Sequence, residues 1–152
     1  AGVADRIDRL HDGTLRIVDY KSGGDTPEFV SVENLFSDEG VTRDGELRYE
    51  PHNGAVLQTL LYALIFGTVE HADVSPALYV ARKMGVPDFS PRPVCKSDGM
   101  MPVERLRPEQ AAALADGLER LFTTLFDASV PFVQTAHEQK CAVCDFRNIC
   151  RR

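Results

Sequence analysis

Asp5, Asp19 and Lys21 are the residues near the start of the chain whose types and spacing can do chemistry. Gly2 to Leu10 and Thr14 to Lys21 are rich in β-forming residues and flank His11-Asp12-Gly13, so the segment is expected to be a β-hairpin. Strand alternation puts Ile17, Asp19 and Lys21 on one face, with a carboxylate and an ammonium side by side at the strand end. The turn decides which acid of the first strand joins them. A two-residue Asp12-Gly13 turn pairs Arg6 with Asp19 and places Asp8 on their face. A three-residue turn with Gly13 left-handed sets Asp5 opposite Asp19, and a glycine at the third loop position favours this second option. Facing carboxylates repel unless a cation or proton lies between them, and hard divalent ions such as Mg²⁺ take oxygen ligands of this kind. The same charges also fit a solvated hairpin face on which Asp5, Arg6, Asp8 and Arg9 exchange surface ion pairs.

The elements that must position these groups follow from patterning. The 152 residues, 43% hydrophobic and 26% charged, are enough for one domain with one core. After Lys21 comes the breaker cluster Ser22-Gly23-Gly24-Asp25-Thr26-Pro27. The acidic stretch from there to Glu50 is expected to be a long surface excursion with a short helix near Val32 to Phe36. From Gly54 to about Val69 the apolar residues Val56, Leu57, Leu60, Leu61, Leu64 and Ile65 recur at helical spacing, with His52 and Asn53 as turn or cap residues. Ala77 to Ala81 is expected to be a short buried strand, and the Pro-rich Phe89 to Val94 no more than an edge strand. Pro108 opens a second helix, running to about residue 127, with Leu114, Leu118, Leu121, Phe122, Leu125 and Phe126 on one face. The expected fold is α/β, a small mixed sheet flanked by two helices.

The formal net charge of −6 argues against a protein that holds nucleic acid through a general basic surface. It leaves open an enzyme whose acids bind metal ions that then meet the phosphates. The longest apolar run, Leu57 to Gly67, is too short to span a bilayer and is interrupted by Gln58 and Thr59, so no membrane span is expected. Arg6, Asp8 and Arg9 preclude a secretory signal, which makes a reducing cytoplasm the expected compartment. The chain opens on Ala1-Gly2-Val3-Ala4 without Met, so it is expected to be the C-terminal piece of a longer polypeptide, one domain over 1–152 with a cysteine-bearing tail over 132–152.

In that tail Cys141, Cys144 and Cys150 have the spacing to converge on one soft centre. A fourth ligand is then needed, and Cys95 or His137 are candidates within the chain. Lys140, Arg147, Arg151 and Arg152 make this the densest basic cluster, fit for phosphates or simply solvated. His11, His52 and His71 are isolated and given no catalytic part.

Gly2-Val3-Ala4-Asp5-Arg6-Ile7-Asp8 followed by Ile17-Val18-Asp19-Tyr20-Lys21-Ser22-Gly23 closely resembles the active-site hairpin of the PD-(D/E)XK nucleases, in their RecB/AddB-type branch. Gln58-Thr59-Leu60-Leu61-Tyr62 is similar to the Gln-x-x-x-Tyr motif of that branch, two polar side chains at i and i+4 on one helix face. Cys141 to Cys150 resembles the C-terminal cysteine motif of its iron-sulfur members. The resemblance implies a restriction-endonuclease-like core and Mg²⁺- or Mn²⁺-dependent hydrolysis of DNA. Asp5, Asp19 and the Tyr20 carbonyl would hold the ion, Lys21 would act on the attacking water and the developing charge, and Gln58 and Tyr62 would position phosphate or water. It further implies an exonuclease domain of a double-strand-break repair or recombination helicase-nuclease, partnered by a helicase domain or subunit. A [4Fe-4S] cluster would be held by Cys141, Cys144 and Cys150 with a fourth cysteine upstream of Ala1. The rival expectations are a non-catalytic DNA-end or partner-binding module and a zinc-binding interaction domain.

Overall fold

A three-residue loop fixes the register of the first hairpin. The Leu10 amide donates to the Thr14 carbonyl at 2.8 Å, and Gly13 closes the turn at φ +87°, a conformation only glycine adopts without strain. Strand β1 (Arg6–Arg9) then runs antiparallel to β2 (Leu15–Lys21), with Arg6 opposite Val18 and Asp8 opposite Arg16. Extending that register by one residue puts Asp5 opposite Asp19, as the three-residue turn predicts. The computed structural model describes residues 3–36, 41–43, 46–48, 53–131, 141–142 and 144–150.

In chain order the further elements are β3 (Glu28–Phe29), a 3₁₀ turn (Glu33–Phe36), β4 (Val41–Arg43), β5 (Glu46–Arg48), α1 (Gly54–Glu70), β6 (Val74–Val80), a second 3₁₀ turn (Ala81–Lys83), β7 (Val94–Cys95), β8 (Met101–Pro102) and α2 (Pro108–Phe126). The main sheet has the order β1-β2-β6, with β6 parallel to β2 and Lys21 registered with Val80. Such a parallel pair needs a long crossover, and α1 supplies it. Pro76 is tolerated within β6 because its nitrogen faces the edge away from β2. There Leu78, two residues on, donates instead to the Pro91 carbonyl at 2.7 Å. The strand therefore begins at Val74, three residues before the expected Ala77.

Helix α1 lies on the sheet through small residues. Ala55, Thr59 and Ala63 are buried, and a methyl on Gly67 would come within 3.2 Å of Val74 Cγ2, so a ridge of small side chains at every fourth position lets the backbone approach the strands. The Thr59 hydroxyl is satisfied by donating to the Ala55 carbonyl at 2.9 Å. Leu57, Leu61 and Leu64 pack at the flanks of this ridge, and Ile65 is exposed. The helical periodicity is as expected, but the face is turned toward the small residues.

Two expectations are overturned, on the stretch after Thr26 and on the apolar face of α2, and the limit set on the Pro-rich segment holds. The stretch after Thr26 is no surface excursion where it is described: Phe29, Val32 and Leu35 are buried in one core with Val56, Leu60, Leu78, Val80, Cys95 and Leu114. Phe29 is drawn inward because β3 pairs in parallel with β7. Phe89 to Pro93 forms no strand, and only Val94–Cys95 enters a ladder. On α2 only Leu114 of the predicted apolar face is buried, whereas Leu121, Phe122, Leu125 and Phe126 are exposed, because only the first half of the helix meets the core. Among the described residues no helix is long and apolar enough to cross a membrane. His52, His137, Phe132, Val133, Val143, Lys140, Arg151 and Arg152 lie outside the described residues.

Candidate active site

Asp19 sits on the central strand of the main sheet, on the face that α1 covers, and this makes a carboxylate 2% exposed. A charge so buried must be paired. Lys21, two residues on and on the same face, brings Nζ within 2.8 Å of Asp19 Oδ2. The same ammonium donates to Gln58 Oε1 at 2.8 Å. The Lys21 ammonium is the cation paired with Asp19 Oδ2, and no other hydrogen-bond partner reaches that oxygen. A buried carboxylate oxygen of this kind has lone pairs left to ligate a cation.

Gln58 is presented by α1. Its amide orientation follows from its neighbours: Lys21 only donates, so the carbonyl oxygen must face it, and Nε2 then donates to the Tyr62 hydroxyl at 3.2 Å. The two residues meet because they are one turn apart on a helix. The result is a continuous line of polar contacts, Asp19 to Lys21 to Gln58 to Tyr62, joining residues far apart in sequence.

Asp5 stands just beyond the end of the β1–β2 ladder, and its Oδ2 accepts from the Tyr20 amide at 2.8 Å. It is exposed, whereas Asp19 is buried. Asp8 is turned to the other face, where Arg16 Nη2 and Arg6 Nε each lie 2.7 Å from it. Those hydrogen bonds, from Arg16 above all and then from Arg6, hold the Asp8 carboxyl below the usual carboxylate range. The Arg6 guanidinium is correspondingly raised, chiefly by Asp8. Asp8 is therefore committed to arginines, on the face of the hairpin opposite to Asp19.

The site is pinned from below by Asn53, whose wider role the sequence did not disclose. As the cap of α1 it accepts from the Val56 amide at 3.1 Å, and its Nδ2 donates to the carbonyls of Thr26 at 2.6 Å and Glu28 at 3.0 Å. One side chain so ties the segment leaving Lys21 to the helix that carries Gln58. Beside it is a cavity of about 320 Å³ lined by residues including Asp25, Thr26, Asn34 and Lys96.

The cysteines divide. Cys95 is buried, with Sγ 3.5 Å from the Val30 carbonyl and 3.3 Å from Ser97 Oγ, as a core residue. In the tail the Cys144 amide donates to the Cys141 carbonyl and the Cys150 amide to the Phe146 carbonyl, so the three cysteines occupy successive tight turns. They are not gathered into a formed site: among the described residues no group of three or more His, Cys, Asp or Glu side chains is placed to hold a metal ion. Phe146 and Ile149, within these turns, are exposed.

The profile of the PD-(D/E)XK nuclease superfamily matches residues 1–151. No curated protein and no solved structure gives a significant match. With an α/β core, a hairpin that presents an acid and a lysine at its end, and a profile match over almost the whole sequence, the chain belongs to the PD-(D/E)XK nuclease superfamily.

Proposed function

We propose that the protein is a Mg²⁺- or Mn²⁺-dependent deoxyribonuclease, acting as the exonuclease domain of a double-strand-break repair or recombination helicase-nuclease in the cytoplasm. The observation that carries the hydrolytic part is the buried Asp19 carboxylate beside the Lys21 ammonium on the central strand. Asp19, Asp5 and the Tyr20 carbonyl are the ligands that would hold the ion. When bound, it acidifies water and polarises a phosphate oxygen. Hydrolysis adds a water oxygen to phosphorus, breaks the P–O bond to the leaving nucleotide, and returns a proton to the leaving oxygen. Lys21 stabilises the negative charge that develops on the phosphoryl oxygens, held in place by Gln58 Oε1. The Tyr62 hydroxyl accepts from Gln58, so its own proton is available to a phosphate oxygen. The exonuclease role, the helicase partner and a [4Fe-4S] cluster on Cys141, Cys144 and Cys150 with a fourth ligand from elsewhere rest on the likeness of the hairpin, the Gln-x-x-x-Tyr pair and the tail to the RecB/AddB-type branch.

The test is cleavage of end-labelled DNA by the full-length protein. Degradation should require Mg²⁺ or Mn²⁺, stop with a chelator, and be abolished by Asp19→Asn with the circular dichroism of the fold retained. Undiminished cleavage by that variant would overturn the assignment and favour a non-catalytic DNA-binding module. For the tail, anaerobically purified full-length protein should contain iron and acid-labile sulfide, and a colourless, iron-free, fully active enzyme would exclude the cluster.

A further inference from the structure

The segment leaving β6 borders the active-site end of the sheet. Val80 is registered with Lys21, and the 3₁₀ turn Ala81–Lys83 follows at once, so Arg82 and Lys83 stand just beyond the strand position that faces the site lysine. Lys83 Nζ donates to Thr26 Oγ1 at 3.3 Å. Thr26 lies on the loop that leaves Lys21, and its carbonyl is held by Asn53 at the head of α1. Lys83 is thereby tied to both segments that carry the site, through a neutral hydroxyl that leaves its charge uncompensated.

Among the described residues several cations are compensated. Arg6, Arg16, Arg92, Lys96, Arg105 and Arg107 are each ion-paired with an acid. Among the described residues Arg82 and Lys83 have no carboxylate partner. The other described cations without one, Arg9, Arg120 and Arg147, belong to the β1–β2 hairpin, α2 and the tail. On a protein of net charge −6, two cations without a carboxylate partner beside the site give a polyanion a local attraction there.

We propose that Arg82 and Lys83 form a phosphate-holding lip that grips the backbone of the DNA strand beside the scissile position. This deepens the nuclease assignment above and rests on it. The arginine fork suits two oxygens of one phosphate, and the lysine acts as a point charge. Contacts of this kind position the strand without reading its sequence. Neither group touches the reacting atoms, so both act on binding and neither on the chemical step.

The double variant Arg82→Gln, Lys83→Gln removes both charges while leaving a donor within reach of Thr26. Binding of a fluorescein-labelled single-stranded oligonucleotide to the full-length protein is followed by anisotropy with Ca²⁺ in place of Mg²⁺, across a series of salt concentrations. Each phosphate contact contributes about 0.7 to the log–log salt slope on a single strand, so the slope should fall by about 1.4. In Mg²⁺, KM should rise with kcat unchanged. A variant that cleaves with wild-type KM and an unaltered slope would overturn the lip and leave the nuclease assignment standing. Loss of kcat with an unaltered slope would also overturn it, because the pair would then act through the fold of the site. Wild-type protein that neither binds nor cuts DNA would remove the lip and the nuclease assignment together.

Discussion

Lys21→Met and Asp19→Asn remove the same ion pair, yet they should destabilise the fold unequally. The Asp19 side chain is 3% exposed and that of Lys21 25% exposed. Methionine keeps the aliphatic stem of Lys21, so the loss is the charge and little packing. It strands the Asp19 carboxylate on the central strand beneath α1, where water does not reach it. Removing one partner of a buried pair in this way costs about 3–5 kcal/mol. Asp19→Asn leaves a neutral amide of the same shape. The ammonium it abandons still donates to Gln58 Oε1 and reaches solvent, so the cost is about 1 kcal/mol, the scale of one ordinary hydrogen bond. Urea unfolding of the metal-free protein, followed by circular dichroism, measures both. A gap of roughly 3 kcal/mol between the variants corresponds to about 6–12 °C in Tm for a domain of this size. Mg²⁺ should narrow the gap, since an ion at a hundred times its Kd adds about 2.7 kcal/mol to a fold that binds it, and Lys21→Met keeps both acids. Equal losses, or a Lys21→Met protein as stable as wild type, would refute the buried pairing of Asp19.

Two further substitutions probe the frame around the site. Gly117→Ala, in the middle of α2, should lower stability by about 1–2 kcal/mol despite a helix-propensity gain near 1 kcal/mol: a methyl there would overlap Cδ2, Cε2 and Cγ of the Phe36 ring, all within 2.9 Å. A stabilised variant in thermal unfolding would show that the 3₁₀ turn does not seat Phe36 on α2. Asp8→Asn should lose stability at neutral pH, and its deficit should fade on acidification. The Asp8 carboxyl is lowered chiefly by Arg16, so its contribution is complete above the unfolded-state value near pH 3.9 and disappears as pH falls through its lower folded-state value. Unfolding measured at several pH values checks this, and a deficit that persists unchanged at pH 2 would contradict it.

Whatever depends on near neighbours in the chain was open to inspection before any fold was known. The glycine at the third loop position selects the turn, and the turn sets the register that turns Asp8 toward Arg16 and away from the face of Asp19, since a hairpin register is set by its loop. Gln58 and Tyr62 fall on one helix face by spacing alone, and the extents of α1 and α2 follow their periodicity to within a residue or so at each end. Burial and pairing across the chain were not open in the same way, because they depend on which surface arrives from elsewhere. Nothing local to Asp19 says that its strand will be central and parallel to β6, yet that placement turns an acid on a hairpin into a buried one. The acidic stretch after Thr26 is polar enough to look like a loop, but Phe29, Val32 and Leu35 are buried once β7 offers a ladder and α1 a surface. The large apolar residues of α1 outweigh Ala55, Thr59 and Ala63 in any count of hydrophobicity. Close approach to a sheet rewards small side chains instead, and that preference exists only when the sheet is there. The second half of α2 carries the same apolar pattern as the first and finds no described partner. Periodicity records which side of a helix can be buried, and only tertiary packing decides whether it is.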